Sequence, residues 1–205
     1  MTNEKVTDKP LRNDERGMEN RAYLLLINDG VTAFNAWRKQ NLTAELGLIH
    51  ANFKGTNLSG VNLKEADLKG GDFRNADLIG ADISDANLSG AKLSDANLTD
   101  ALLRGANLRN TNFGGATLSN ADLREVDFTG SNLRGANLKG AKLRDVNLDG
   151  VALWAADFGD ADISGADLTN ALGLTQDQIH AAYINLGFPP KLPKGLNLPK
   201  LEDTL

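Results

Sequence analysis

The chain has 205 residues, of which 41% are apolar and only 5% aromatic, and its formal net charge is −5. It contains no cysteine and two histidines, which excludes disulfide scaffolds and thiolate metal sites and leaves little material for a histidine-based site. The mildly acidic balance argues against a strongly basic nucleic-acid-binding protein.

The N-terminal part divides into a hydrophilic segment and a helical region. Residues 1–18 are predicted to be flexible. Residues 19–50 contain two helical patterns, 19–28 and 31–40, and are predicted to form an N-terminal helical cap. Residues 46–50 are expected to join this cap to the structure that follows. Three apolar residues spaced three apart share one helical face and are expected to pack over the start of the segment that follows residue 50: Val31, Phe34 and Trp37.

The segment 51–170 repeats with a period of five, so that its 120 residues form 24 pentads. The middle residue of each pentad, here called its centre, is always Leu, Phe or Ile. The residue two before the centre is small, and the residue directly before it is Asn or Asp in 19 of the 24 pentads. Two residues after the centre, 21 of 24 are Gly, Asn or Asp, the residue types that best tolerate positive φ.

A period of five fits neither a helix nor a long strand, because it carries the centres around every helical face or onto both faces of a sheet. A short straight unit followed by a bend points each centre inward, and four such bends close a square coil. The repeat therefore predicts an all-β solenoid of about six coils, roughly 29 Å tall at one strand spacing per coil. Residues 20 apart then stack, which predicts a partial aromatic column of Phe53, Phe73 and Phe113.

The same register assigns the bend residues to corners. One corner contains residues that adopt positive φ readily, so type II turns are expected there: Gly70, Gly90, Asn110, Gly130, Gly150 and Asn170. Another corner contains several residues that resist positive φ, so a different turn type is expected: Glu65, Asp85, Gly105, Glu125, Asp145 and Gly165.

Residues 171–205 are predicted to form a helix followed by a Pro-rich tail. Thr175 and Gln178 form a capping-box pattern, and the helix is expected to run from about 176 to 186. The tail either folds back on the solenoid or reaches a partner, and folding back is favoured. Helical caps at both ends would cover the unpaired edges of the first and last coils.

The pentad A(D/N)LxG, as in residues 51–55 (ANFKG) and 106–110 (ANLRN), resembles the motif of the bacterial pentapeptide-repeat proteins. This resemblance covers 120 of the 205 residues. It implies a right-handed quadrilateral β-helix whose interior is filled by the centres and the small residues. Some members of that family resemble duplex DNA in size and charge and protect or inhibit type II topoisomerases such as gyrase.

Little in the sequence indicates catalysis. The serines lie mainly in outward positions with no histidine or lysine base held beside them, and His50 and His180 belong to different caps. No P-loop, GxGxxG, HExxH or EF-hand pattern occurs. With residues 20 apart stacked, no two of the nine Asp residues that precede a centre lie on each other, whereas a calcium site would gather them. We therefore predict no enzyme activity and no catalytic, cofactor-binding or metal-binding residues.

The candidate interaction surface consists of four residues. Three arginines are predicted to stack on one face, where they could hold an acidic partner or a phosphate: Arg104, Arg124 and Arg144. The favoured interpretation is that the neighbouring Glu125 and Asp145 neutralise them. The fourth residue, Trp154, is outward on the last coil and is expected to be covered by the C-terminal segment, with an exposed dimer contact as the alternative.

The charge distribution argues against duplex mimicry. B-DNA carries about 17 charges over this height, whereas the repeat segment holds 17 acidic and 12 basic residues. Its net charge is −3 over 51–100, +2 over 101–150 and −4 over 151–170. The favoured function is a non-enzymatic scaffold or protein–protein interaction module, and the alternative is a DNA-mimicking regulator of gyrase. We expect a cytoplasmic monomer or homodimer that binds another protein, without direct binding to nucleic acid or membrane.

Overall fold

A computed structural model describes residues 15–199 of the chain. Residues 1–14 of the predicted flexible segment 1–18 lie outside the described residues, so flexibility there stays a prediction. The chain forms a right-handed quadrilateral β-helix in which each parallel bridge joins residues 20 positions apart from residue 47 to residue 172. The helices are α1 (Glu15–Asn28), α2 (Gly30–Gln40) and α3 (Gln176–Ala181). None of these three helices is both long enough and apolar enough to cross a bilayer.

The core is a narrow stack of centres, each with an exposed fraction of 0–2%. The rings of Phe53 and Phe73 are stacked, with centroids 5.1 Å apart. Phe113 instead meets the edge of Phe128, with centroids 6.1 Å apart. Because Leu93 separates Phe113 from Phe73 in the column, the predicted aromatic column is confirmed only for Phe53 and Phe73.

The residue before each centre has a backbone role that explains why it is so often Asn or Asp. In the pentad 76–80, four backbone N–H groups donate to backbone carbonyls at 2.7–3.0 Å, one across the turn and three to neighbouring coils. The remaining N–H, that of Ile79, donates to Oδ1 of Asp77 at 3.0 Å. The same contact recurs along the stack of coils, which we call the tower and whose upper end is the last coil, 151–170. An example is the bond from the N–H of Ser59 to Asn57 at 3.0 Å. In the 19 pentads with Asn or Asp before the centre, this side chain thus satisfies the one backbone donor that the coils leave without a partner.

Replacing Asp77 separates this backbone role from its charge. Asp77→Asn keeps the acceptor and should leave the free energy of unfolding nearly unchanged. Asp77→Ala removes the acceptor and should cost about 1 kcal/mol, measured by urea denaturation. Asp77 makes no ion pair with the other described residues, so equal losses in the two variants would contradict an Asx-turn role.

The expectation of a second turn type at the Glu65 corner is wrong. Glu65, Asp85, Glu125 and Asp145 all have φ between 59° and 62°, close to the φ of 66° at Gly70. At most corners the bend N–H reaches the carbonyl of the next coil, as from Glu65 to Ser84 at 2.9 Å. Stacking therefore imposes positive φ on these corners and outweighs a conformational cost of about 1–2 kcal/mol for a non-glycine residue.

The N-terminal cap covers the first coil. α1 begins at Glu15, four residues before the predicted start at Glu19, so the assignment of residues 15–18 to a flexible segment is wrong. Phe34 is fully buried, and Val31 and Trp37 are half-buried against the core, which confirms their predicted packing. Residues 46–50, predicted to join the cap to the tower, form an extra pentad, since its second residue bridges to the coil above and its centre is 3% exposed.

Two polar side chains of α2, which the sequence analysis missed, satisfy the open backbone edge of this coil. Asn35 donates to the carbonyl of Gly60 at 2.8 Å and accepts the N–H of Asn62 at 2.9 Å, as a neighbouring strand would. Arg38 is 6% exposed and fills the gap beside it. Its guanidinium donates at 2.8–3.3 Å to three backbone carbonyls: those of Asn41, Ala44 and Lys64.

The C-terminal segment folds back on the last coil, as favoured. N–H groups of that coil donate to the carbonyls of Leu172, Ala181, Tyr183, Phe188 and Lys191. The capping box of Thr175 and Gln178 is confirmed, but α3 ends at Ala181 instead of near 186. The helix stops early because Tyr183 is extended and pairs with Asp162 in a parallel bridge.

The tail then crosses the upper end of the tower. Gln176 donates to the carbonyl of Asn197 at 2.8 Å and accepts its N–H at 3.0 Å. Leu192 and Leu196 are half-buried against the core.

The open edge of the last coil is met by Gln178, whose Nε2 donates to the carbonyls of Leu153 and Ala156 at 3.0 Å and 2.7 Å. An amide side chain, Asn35 or Gln178, therefore pairs with backbone of the outermost coil at each end of the tower, which blocks the edges that would otherwise add another coil.

An ion pair fastens the tail and should make its docking sensitive to acid. Lys191 Nζ lies 2.7 Å from Oδ2 of Asp167, and hydrogen bonds from Lys191 and then from Thr169 lower the pKa of Asp167 from 3.8 to about 2. Because the folded-state pKa is the lower one, this stabilisation is complete above the unfolded pKa and is lost as the pH falls through 2. Urea midpoints should therefore fall between pH 4 and pH 2. Asp167→Asn, which keeps the Asx-turn acceptor, should flatten this fall, and an unchanged profile in the variant would contradict the assignment.

Candidate interaction surface

Each side of the tower is a stack of six pentads, and we name the sides after their first centres. A coil visits the Phe53 face, the Leu58 face, the Leu63 face and the Leu68 face in that order, so the Phe53 and Leu63 faces lie opposite each other. Three residues of each pentad point outward: the one before the centre and the two after it. These residues form vertical columns with a spacing of roughly 4.8 Å.

The three predicted arginines do stack on the Leu63 face, and each has a carboxylate partner. Arg104 forms an ion pair with Glu125, with Nε–H donating to Oε1 at 3.1 Å. Arg124 binds Asp122 with both ends of its guanidinium, at 2.8 Å and 2.5 Å. Arg144 lies 3.5 Å from a carboxylate oxygen of Asp145 and 5.0 Å above the ring of Phe188. The favoured prediction of neutralisation by Glu125 and Asp145 is confirmed, and the third partner, Asp122, is new.

The pair in the middle of the arginine column is the most strongly fixed. Asp122 is 7% exposed, and hydrogen bonds from the Arg124 side chain lower the pKa of this carboxyl below its usual value. The carboxylate therefore stays ionised and holds the guanidinium throughout the neutral range. A partner would have to displace internal carboxylates from these arginines, so the column offers little free positive charge.

Trp154 lies on the opposite side of the tower, on the Phe53 face. The expectation that the C-terminal segment covers it is wrong in part. Its indole rests on Gly173, where a Cβ would overlap the ring, yet 44% of the residue remains exposed. The tail passes over the Leu63 and Leu68 faces instead, where it pairs with Asp162 and Asp167. The structure therefore does not bring Trp154 together with the three arginines.

Sorting the charges by face reveals an asymmetry that sorting along the chain conceals. The pentads of the Phe53 face carry a net charge of +2, whereas the Leu58, Leu63 and Leu68 faces carry −3, −2 and −2. The Phe53 face is thus the one positive side of a negatively charged tower.

The cations of the Phe53 face are also mostly free. Among the described residues, five Lys and Arg side chains of the 24 pentads lie beyond salt-bridge distance of any carboxylate: Lys54, Lys69, Lys92, Arg134 and Lys142. Three of these, Lys54, Lys92 and Arg134, lie on the Phe53 face. A sum of charge along the chain conceals these three cations, although the 20-residue register already contains the signal.

The described residues do not assemble a nucleophile with a base. His50 lines an open recess beside Tyr23 in the N-terminal cap, and His180 contacts Gln176 in α3 at the other end. Ser164, expected to point outward, is fully buried because the tail covers it, and its hydroxyl accepts the N–H of Asn185 at 2.9 Å. Within residues 15–199, no cluster of three or more His, Asp and Glu side chains could hold a metal ion.

The family model for pentapeptide repeats matches the chain in eight copies, between residues 48 and 172. This range contains all but the first two residues of the extra pentad and every coil of the tower. No curated protein matches the chain at a significant level.

Several solved structures are similar to the chain. HetL, a pentapeptide repeat protein involved in heterocyst differentiation regulation in the cyanobacterium Nostoc sp. strain PCC 7120, is 33% identical over 63% of this chain and 64% of its own, with a TM-score of 0.32. QnrB1, a plasmid-mediated fluoroquinolone resistance protein, is 22% identical over 75% of this chain and 88% of its own, with a TM-score of 0.40. A pentapeptide repeat protein from the Arabidopsis thaliana thylakoid lumen is 32% identical over 56% of this chain and 72% of its own, with a TM-score of 0.28. The chain therefore spans just under two thirds of the length of HetL.

Proposed function

Because the chain belongs to the pentapeptide-repeat family, we propose that it is a non-enzymatic scaffold or protein–protein interaction module. The observation that carries this proposal is that each pentad has separate inward-facing and outward-facing residues. Two residues fill the core, and the remaining three form regular outward columns on four sides, and the ends of the tower are closed by the amide side chains of Asn35 and Gln178. A surface of this kind presents many side chains at fixed spacing, which suits recognition of another macromolecule.

Site-directed photocrosslinking tests this proposal. A photoreactive amino acid is placed at one exposed position per face in the full chain: Arg134, Lys139, Arg104 and Arg109. In cells of the source organism, one face should yield a discrete crosslinked protein, while the remaining positions serve as matched controls. Equal diffuse labelling from all four faces would overturn the interaction module.

The alternative of duplex mimicry is weakened by the role of the acidic residues. An Asp before a centre accepts a backbone hydrogen bond, as Asn does at the same position, so its presence is explained by the turn. The positive Phe53 face would also repel a channel built to hold DNA. We expect the purified protein at micromolar concentration to leave gyrase supercoiling unchanged. Inhibition, or protection against a gyrase inhibitor, would establish the alternative.

The blocked ends favour a monomer or a homodimer formed through a lateral face over an end-to-end assembly. A location in the cytoplasm and a protein partner in place of nucleic acid stay predictions. The crosslinking experiment addresses the partner directly, because it reports whether the captured species is a protein, a second copy of this chain or a nucleic acid.

A further inference from the structure

We infer that the Phe53 face is the docking surface and that its partner is an acidic protein segment with an apolar side chain. This inference rests on the proposed interaction function and adds the face and the chemistry of the partner. It places the functional surface on the side of the tower opposite the arginine column.

The charge of the Phe53 face is complementary to that of an acidic partner. The Phe53 face carries +2 while each of the other three faces is negative. This net charge already includes the two carboxylates of the face: Asp72 is held by Arg74 at 2.9 Å and 2.6 Å, and Asp95 lies at the corner beneath Gly115. Lys54, Lys92 and Arg134 therefore remain available to carboxylates of another molecule.

An apolar anchor lies at the upper end of the same face. Trp154 is 44% exposed and Leu172 is 47% exposed, and Ala152 bridges to Leu172 directly. Arg134 is stacked one coil below Trp154, at about one strand spacing. Trp and Arg side chains dominate binding energy at protein interfaces, where an aromatic anchor is combined with a nearby charge.

The other exposed apolar residues lack this combination. Ile79 lies on the Leu58 face, which has a net charge of −3, and Leu102 stacks between Asp82 and Asp122 on the Leu63 face. Phe188 is exposed at the upper end, but Arg144 already lies over its ring.

Tyr183 is 57% exposed on the Leu63 face, but Asp162 lies between it and the unpaired Lys142, and that face has a net charge of −2. Among the described residues, the Phe53 face is the one with a positive net charge that combines an exposed aromatic residue with several unpaired cations.

The same charges favour a protein segment over nucleic acid. The two faces that flank the Phe53 face carry −3 and −2, and the chain carries −5. A polyphosphate backbone is too wide and too densely charged to avoid these flanks, whereas a single extended acidic segment fits along one face.

The test measures binding of a short fluorescein-labelled peptide, in which Asp and Glu flank one Phe and one Leu, to the full chain by fluorescence anisotropy and amide chemical-shift mapping. The peptide should shift the amides of residues 132–135 and 152–155. Arg134→Glu and Trp154→Ala should each weaken its binding at least tenfold. The matched control is Arg104→Glu, which changes the total charge equally on the opposite face and should alter binding less than twofold. A peptide with Lys in place of the acids should bind much more weakly.

Four results would overturn the inference: no binding of the acidic peptide, shifts on another face, equal effects of Arg134→Glu and Arg104→Glu, or tighter binding of a DNA duplex than of the peptide. Its failure is distinguishable from failure of the proposed function. A crosslinked protein captured from another face leaves the interaction module intact and removes only the Phe53 face.

Discussion

Phe113→Ala should lower the free energy of unfolding by about 4 kcal/mol, because it removes a fully buried ring and leaves a cavity in the narrow core of the tower. The edge-on contact with Phe128 is lost as well. A solenoid distributes its stability over neighbouring coils, so a gap at the middle of the tower should also weaken the coupling between its halves. Urea denaturation followed by circular dichroism should therefore show both a lower midpoint and a broader transition.

Phe113→Leu is the matched control, since Leu is the centre of most pentads and fits the square interior. It should cost less than about 1.5 kcal/mol and preserve a single sharp transition. A loss below 1 kcal/mol in Phe113→Ala would mean that the core relaxes around the gap, and the narrow-core account would then be wrong.

Arg38→Ala should destabilise the N-terminal cap by about 3 kcal/mol. Three backbone carbonyls that now accept from the buried guanidinium would lose their donor, and each such group costs about 1–3 kcal/mol when it stays buried. The cap should then open in part and uncover the first coil. Urea denaturation measures the loss of stability, and size-exclusion chromatography with light scattering measures the association that an uncovered edge permits.

Two controls separate the lost cap from general destabilisation. Arg38→Lys keeps the charge but cannot reach all three carbonyls, so its loss should be intermediate. Phe113→Ala weakens the tower without uncovering an end and should stay at the size of the wild-type protein under native conditions. Association in both Phe113→Ala and Arg38→Ala would show that instability, and not the open edge, causes it.

The candidate site was predictable only in part. The sequence predicts that Arg104, Arg124 and Arg144 form one column, because that arrangement depends only on the 20-residue register. Which carboxylate each arginine binds depends on side-chain direction, and the partner of Arg124 is therefore a structural result. The exposure of Trp154 likewise depends on the path of the tail, which crosses other faces.

The sequence alone determined the coil, its register and its core, because every pentad contains one large inward side chain, one small inward side chain and a residue at which the chain bends. Repetition makes these features independent of distant contacts. The tertiary structure decided what depends on such contacts: the positive φ of Glu65, the amide and guanidinium side chains that close the ends, and the burial of Ser164 under the tail. In each case hydrogen bonds between segments far apart in the chain outweigh the local preference of the residue, and a local pattern does not contain that information.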